Sequence, residues 1–245
     1  MRRTAFSLIE LSIVLVILGL LVGGILAGQS LIRASELRSV ANDLNRYKTA
    51  IYTFRDKYFA LPGDMTNATS VWGAVSGTGS TCRTTASNGT LTCDGNGDGY
   101  IYTTDSGTTY SETFHAWVQM ADAGLIEGSY TGKTGTGSGK NAIPGTNVPI
   151  SRIGGAGYFI GFEGTWVTTN AQNKNVIMFG NATTNETYVG GITPTEAWNI
   201  DTKIDDGVGL TGKLGGMNSS APWCLNSTTY VITEPTKACG LIFVF

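Results

Sequence analysis

The sequence predicts an α+β fold in which one long N-terminal α-helix packs against an antiparallel β-sheet head. Apolar residues fill the first part of segment 6–58 and then recur three and four positions apart, which is the period of a helix. The rest of the chain is rich in Gly, Thr, Ser and Asn and contains short β-branched and aromatic runs. This composition favours strands and turns over a helical bundle.

The first element is a helix over 6–58, a segment that contains no proline. Its first part, 6–28, is apolar and long enough to cross a bilayer, which requires about 20 residues. Arg2 and Arg3 precede it, and no basic residue follows until Arg33. The excess of positive charge on the N-terminal side predicts a cytoplasmic N-terminus and an extracytoplasmic head.

A secretory signal peptide and a plain membrane anchor are the two alternative interpretations of the apolar stretch. A signal peptide has a shorter apolar core that is followed by a cleavage site, whereas this stretch continues directly into an amphipathic helix. Glu10 argues against a plain anchor, because a carboxylate within an apolar run costs about 2.5–3.5 kcal/mol on insertion scales. We therefore expect Glu10 to have a function and a partner.

The second part of the predicted helix is amphipathic and has one apolar stripe, which is typical of core packing. The stripe consists of Leu37, Val40, Leu44, Tyr47, Ile51, Phe54 and Tyr58. Pro62 and Gly63 end the helix, and the head occupies 59–245. Within the head, the patterns predict strands at 157–163, 175–179, 229–233 and 240–245, and short helices at 112–123 and 195–203.

The overall composition argues against nucleic-acid binding and against catalysis. The net charge is −2 and 14% of the residues are charged, whereas nucleic-acid binding needs a basic face. His115 is the single histidine, and it lies between Phe114 and Trp117 in an apolar stretch. We expect it in the core or at an interface. Without it, no Ser/His/Asp or Cys/His catalytic set is possible in this chain. The sequence therefore indicates a protein that is not an enzyme.

The four cysteines predict two local disulfides, Cys82 with Cys93 and Cys224 with Cys239, in an oxidising compartment. Neither pair has the spacing of a metal site, and histidine partners are missing. Four cysteines allow three connectivities, so the local pairing is the favoured one of three.

An acidic, glycine-rich segment after Cys93 has the spacing of a calcium-binding loop. The residues at the ligand positions are Asp94, Asn96, Asp98, Tyr100 and Asp105. Gly99 permits the sharp turn, and Glu112 could complete the shell. Two features differ from an EF-hand: the last position is Asp105 instead of Glu, and no helix precedes Asp94. We predict a structural calcium ion, with a metal-free Gly/Asn/Asp turn as the alternative.

A second acidic turn contains Asp201, Asp205, Asp206 and Gly207. Helix termination and turn hydrogen bonding are the favoured interpretation of this pattern. Contact with a neighbouring subunit is the alternative.

The N-terminus carries a motif that is specific to one family, because a short basic leader is followed by Phe6-Ser7-Leu8-Ile9-Glu10. This motif resembles the prepilin cleavage and methylation motif of type IV pilins and type II secretion pseudopilins. The resemblance implies that a prepilin peptidase removes the leader 1–5 by cutting between Ala5 and Phe6, and then methylates the Phe6 amine. The family usually has Gly before the cut, and Ala5 departs from that pattern. The resemblance covers about the first 60 residues closely and the head loosely.

The resemblance also implies a pilin-like fold and a filament function. The precursor would lie in the inner membrane, and the mature chain would form an extracellular or periplasmic filament with copies of itself, built by an inner-membrane assembly platform. We expect Glu10 of one subunit to pair with the cationic Phe6 amine of another. The expected function is that of a structural subunit of a type IV pilus or related filament. The alternatives are a type II secretion pseudopilin and a minor pilin or adhesin at the filament tip.

The same resemblance extends to three features of the head. The predicted Cys224–Cys239 disulfide resembles the C-terminal disulfide-bounded region of pilins. Some pseudopilins of the family bind calcium, which by analogy favours the predicted calcium loop. The segment Lys203 to Gly207 looks like part of some longer pilin-like proteins.

Overall fold

The computed structural model describes residues 8–75, 91–102, 112–133, 141–163, 171–182, 187–218 and 223–245. Over these ranges the chain has an α+β fold with a long N-terminal apolar helix and an antiparallel sheet, as the sequence predicts. The helices are α1 (Leu8–Tyr58), α2 (Ala68–Trp72), α3 (Glu112–Asp122) and α4 (Pro194–Ile204). The strands are β1 (Ala156–Glu163), β2 (Lys174–Ala182), β3 (Thr187–Val189), β4 (Leu214–Asn218), β5 (Leu225–Asn226), β6 (Thr229–Tyr230) and β7 (Cys239–Val244).

Helix α1 has 51 residues, so it is about 76 Å long at 1.5 Å per residue. It ends after Tyr58 because Phe59 adopts a left-handed φ of 57° and donates its amide N–H to the Arg55 carbonyl oxygen at 2.8 Å. Pro62 then prevents the helix from resuming. The predicted apolar stripe is confirmed, since its central residues, Val40, Leu44, Tyr47, Ile51 and Phe54, are buried.

The main sheet has the strand order β1-β2-β7-β4, and β3 pairs with the end of β2. All of its pairs are antiparallel. Strand β7 therefore lies between β2 and β4. Strands β5 and β6 form a separate two-stranded sheet.

The predicted strand over 229–233 is wrong beyond Tyr230. Strand β6 stops there because the chain turns: the Ile232 amide donates to the Tyr230 carbonyl oxygen at 3.0 Å, and the Glu234 amide donates to the Val231 carbonyl oxygen at 2.9 Å. The other three predicted strands correspond to β1, β2 and β7, and the two predicted short helices correspond to α3 and α4.

The main hydrophobic core joins the second half of α1 to α3 and to the sheet. The Tyr47 ring of α1 contacts both Trp117 of α3 and Tyr158 of β1, with 5.0 Å between ring centroids in each pair. The Tyr158 hydroxyl donates to an Asp43 carboxylate oxygen at 3.0 Å. Edge-to-face aromatic contacts of this kind fix the rotation of α1 against the head.

Candidate functional site

The first half of α1, residues 8–32, is apolar on all sides and exposed. We call it the exposed half. Its large apolar side chains are all at least half exposed, from 50% for Val14 to 86% for Leu8. Among the residues that the structure describes, α1 is the one helix that is long and apolar enough to cross a membrane. A membrane anchor and a signal sequence both meet this criterion.

The exposed half also carries a few polar side chains, among them two serines and Glu10. The Ser12 hydroxyl donates to the Ile9 carbonyl oxygen at 2.9 Å, and the Ser30 hydroxyl donates to the Ala27 carbonyl oxygen at 2.8 Å. These hydroxyls are satisfied within the helix itself. Glu10 lies at the start of the same half and is exposed. Ala5 and Phe6 lie outside the described residues, so cleavage between them and the Phe6–Glu10 pairing stay predictions.

The exposed half ends at Arg33, which connects α1 to α4. The Arg33 guanidinium donates to both carboxylate oxygens of Glu196, from Nε at 2.6 Å and from Nη2 at 2.8 Å. Its Nη1 donates to Glu36 at 2.9 Å. Bidentate pairs of this geometry are among the stronger ion pairs in proteins. We call this ion pair the neck.

The local sequence of α4 holds Glu196 in place. Thr193 caps the helix, with its hydroxyl accepting from the Glu196 amide at 3.3 Å while its own amide donates to the Glu196 carboxylate at 2.9 Å. This reciprocal capping box fixes the carboxylate where Arg33 reaches it. Burial acts to raise the pKa of Glu196, but the hydrogen bonds from Arg33 and from Thr193 outweigh it and lower the pKa. The pattern Thr193-Pro-Thr-Glu196 could have revealed the cap from sequence, although it carries no signal for Arg33.

The predicted calcium ligands lie in two different settings. Both carboxylate oxygens of Asp94 accept from Thr69, one from its amide at 2.7 Å and one from its hydroxyl at 2.9 Å. Asn96 and Asp98 bind each other instead: the Asn96 amide group donates to Asp98, and the Asp98 backbone amide donates to Asn96, each at 3.0 Å. Asp105 lies outside the described residues.

Asp64, which the sequence analysis did not single out, lies at the centre of this loop. Its buried carboxylate accepts the backbone N–H groups of Gly97, Asp98 and Gly99 at 2.6, 3.2 and 2.9 Å. Gly97 and Gly99 have left-handed φ values of 76° and 86°. Glycines in this conformation turn successive amides towards one anion. The glycine-rich loop thus forms an anion-binding nest that is filled by the chain's own carboxylate.

Glu112 holds the two ends of the same loop. Its buried carboxylate accepts from the Asn96 amide at 3.1 Å and from the Tyr102 amide at 2.8 Å. Burial, assisted by the negative charges of Asp64 and Asp98, raises the pKa of Glu112 to about 8. Among the described carboxylates of this region, no three lie within 4.8 Å of one another. Calcium binding here stays a prediction.

Asp201, Asp205 and Asp206 do lie within 4.8 Å of one another, and hydrogen bonds from the protein occupy each of them. Asp201 is buried and accepts from the Tyr230 hydroxyl at 2.8 Å. Asp205 accepts from the amides of Lys213 and Leu214. Asp206 accepts from the Val208 amide at 2.8 Å and from the Thr211 hydroxyl. The expected turn hydrogen bonding after α4 is confirmed.

Two further predictions concern the cysteines and the histidine. Cys224 and Cys239 are joined by a disulfide, as predicted. Cys93 is also disulfide-bonded, and Cys82 lies outside the described residues. His115 is buried, with Nδ1 at 3.2 Å from the Thr92 hydroxyl oxygen. Its predicted place in the core is confirmed, while the absence of catalysis stays a prediction.

The candidate functional site is therefore the exposed half of α1 together with the neck that fixes it to the head. No family model, no curated protein and no solved structure matches the chain. The geometry of α1 and the N-terminal motif are therefore the two features that indicate a function.

Proposed function

We propose that the chain is a structural subunit of a type IV pilus or pilus-like filament. One observation carries the proposal: a single helix belongs to the head core over its second half and is apolar and exposed over its first half. A continuous apolar surface of this size marks an interaction with lipid or with other proteins. A membrane would cover it in the precursor, and the same halves of neighbouring subunits would cover it in the filament.

The N-terminal motif supplies the order of events. The precursor is inserted into the inner membrane with the head outside, and a prepilin peptidase cuts between Ala5 and Phe6 and methylates Phe6. An inner-membrane assembly platform then adds the subunit to the base of an extracellular or periplasmic filament. The exposed half leaves the lipid and packs against its copies. The proposed function requires no catalysis by this chain.

The charges at the start of α1 would set the register between subunits. Cleavage creates a cationic amine at Phe6, and Glu10 is an anion within the same apolar run. Each charge is costly in hydrocarbon, and a contact between opposite charges on adjacent subunits offsets part of that cost.

A type II secretion pseudopilin is the second candidate, and the predicted calcium loop is the feature that favours it. A minor pilin or adhesin at the filament tip would use the same exposed half. All three functions share the processing and the helix packing described above, so the following experiment tests what they have in common.

The test replaces Glu10 in the full chain, expressed with the peptidase and the assembly platform. Glu10→Gln removes the charge and keeps the size of the side chain. We expect normal insertion and cleavage, and a loss of sheared filaments of about tenfold or more, given the cost of a charge in hydrocarbon. Mass spectrometry of wild-type filaments should show a chain that begins at N-methyl-Phe6.

Ser12→Ala is the matched control, because it removes another polar side chain two residues along the same exposed half. We expect wild-type filament yield from it. Wild-type yield from Glu10→Gln would contradict the role of Glu10. A protein that keeps Met1 in the presence of an active peptidase would contradict the filament function itself.

A further inference from the structure

The head carries three large, exposed apolar side chains on α4 and on the segments beside β5 and β6. Trp198 is 42% exposed, Trp223 is 57% exposed and Ile232 is 60% exposed. We call these three residues the neck patch. None of them belongs to the exposed half of α1, and the function proposed above does not use them.

Hydrogen bonds bring together the three segments that carry the neck patch. The Thr195 hydroxyl of α4 donates to the Ile232 carbonyl oxygen at 3.0 Å, and Trp198 lies one turn further along α4 on the same face. The Val231 amide donates to the Cys224 carbonyl oxygen at 2.9 Å, which places Trp223 and Ile232 on neighbouring segments. The three residues therefore lie on α4 and on two adjoining segments, one of which leads into Cys224 of the disulfide.

The length of the exposed half indicates where this patch lies relative to a membrane. Residues 11–32 carry no charged side chain, and at 1.5 Å per residue they span about 33 Å. The hydrocarbon core of a bilayer is about 30 Å thick. With Glu10 at the inner boundary, Arg33 therefore lies at the outer boundary of the hydrocarbon.

The neck then fixes the depth of α4. Arg33 is bound to Glu196 at 2.6 and 2.8 Å, so the first turn of α4 lies at the level of the lipid headgroups. The headgroup layer adds about 5–8 Å on each side of the hydrocarbon. Thr195 and Trp198 are within one turn of Glu196, and Thr195 holds Ile232. Tryptophan is enriched at this depth in membrane proteins, because its ring is apolar and its N–H is polar.

We propose that the neck patch contacts the lipid headgroup layer of the membrane that holds the exposed half of α1. The inference rests on the proposed function, because it takes α1 to be inserted in lipid before assembly. The head of the waiting subunit is then attached to the membrane at two places, through the neck and through the patch. Transfer of the subunit into a filament has to separate the patch from the bilayer. A second copy of the chain is the rival occupant, and the test below distinguishes it.

The test uses the full chain in vesicles of phosphatidylethanolamine and phosphatidylglycerol that contain a photoactivatable phospholipid. One probe carries its diazirine close to the headgroup, and the other carries it at the end of the acyl chain. Peptide mass spectrometry then locates the adducts. We expect the headgroup probe to label the peptides that contain Trp198, Trp223 and Ile232, and the chain-end probe to label the middle of the exposed half, near Leu18.

Phe59 is the internal control. It is 92% exposed, more than any residue of the neck patch, but it lies about 39 Å from Arg33 along the α1 axis. Neither probe should label it. The double variant Trp198→Ser and Ile232→Ser, which changes only exposed side chains, should lose the headgroup-probe adducts at positions 198 and 232 and keep the chain-end adducts on α1. Val71→Ser, at the far end of the head, should change neither.

Each outcome decides the inference. If the chain-end probe labels α1 but the headgroup probe labels the neck patch no more than Phe59, the patch does not contact lipid, while the filament function stands. If the patch forms cross-links to a second copy and no lipid adducts, its occupant is a subunit, and the inference is overturned. If the exposed half is labelled by neither probe, insertion fails, and the inference and the proposed function fall together.

Discussion

Replacement of Glu112 by Gln should reduce the pH dependence of the head's stability between about pH 5 and pH 8 by about 3 kcal/mol. The Glu112 carboxylate is buried, 2% exposed, and holds the amides of Asn96 and Tyr102. Its pKa rises from the usual 4.5 to about 8 in the folded chain. The folded state therefore binds the Glu112 proton more tightly than the unfolded state does. The stability that Glu112 contributes is fully present below its pKa in the unfolded state. It is lost as the pH rises through its pKa in the folded state.

The size of the effect follows from the two pKa values. Linkage between them gives a loss of about 3 kcal/mol in the free energy of unfolding from about pH 5 to pH 8 through Glu112 alone. Burial also raises the pKa of Asp64, and it raises the pKa of Asp201 to about 6. These groups shift the stability in the same direction, so the wild type should lose at least as much as Glu112 contributes.

The assay is urea unfolding of the full chain in detergent micelles with a metal chelator, followed by tryptophan fluorescence at both pH values. Wild type should be markedly more stable at the lower pH, and Glu112→Gln should show a difference smaller by about 3 kcal/mol. Glu127→Gln changes an exposed glutamate just after α3 and should keep the wild-type difference. Equal pH differences in wild type and Glu112→Gln would refute the reasoning.

Two further predictions concern the neck and the Cys224–Cys239 disulfide. A double-mutant cycle with Arg33→Gln and Glu196→Gln should give a coupling energy of about 1 kcal/mol in thermal unfolding, because the pair is bidentate and half-buried. A coupling energy near zero would show that solvent screens the neck. Replacement of Cys224 and Cys239 together by Ser should lower the free energy of unfolding by about 3 kcal/mol, as the chain-entropy model gives for a loop of this size. A loss well below about 1 kcal/mol would argue against that account.

Local patterns in the sequence predicted three of the four described helices and missed the short α2. The stripe of α1 follows from a three-and-four repeat, and the positions of α3 and α4 follow from short amphipathic patterns with clear ends. The signal for β4 was weak, because Leu214 to Asn218 contains two adjacent glycines and little β propensity. That strand forms because β7 supplies a pairing partner along its whole length. Tertiary pairing decided the structure there.

The candidate site was less predictable where its contacts join distant parts of the chain. The neck joins Arg33 to a residue 163 positions away, and Asp64 binds amides more than 30 positions away. A calcium loop and an anion-binding nest also need the same residues, since both use glycines with unusual φ and acidic side chains nearby. Local sequence therefore indicated a ligand-binding turn at 94–100, but it did not indicate that the Asp64 carboxylate binds the amides of this turn.

The place of β7 in the sheet has a consequence for how the head is made. Strands β2 and β4 leave the ribosome before β7, and they join one sheet only when residues 239–244 pair with both of them. Up to that moment both present open backbone edges, which are templates for wrong pairing with other chains. Maturation of the head is therefore a late, concerted step. A stop codon just before Cys239 would separate β4 from the rest of the sheet, because β7 is its pairing partner.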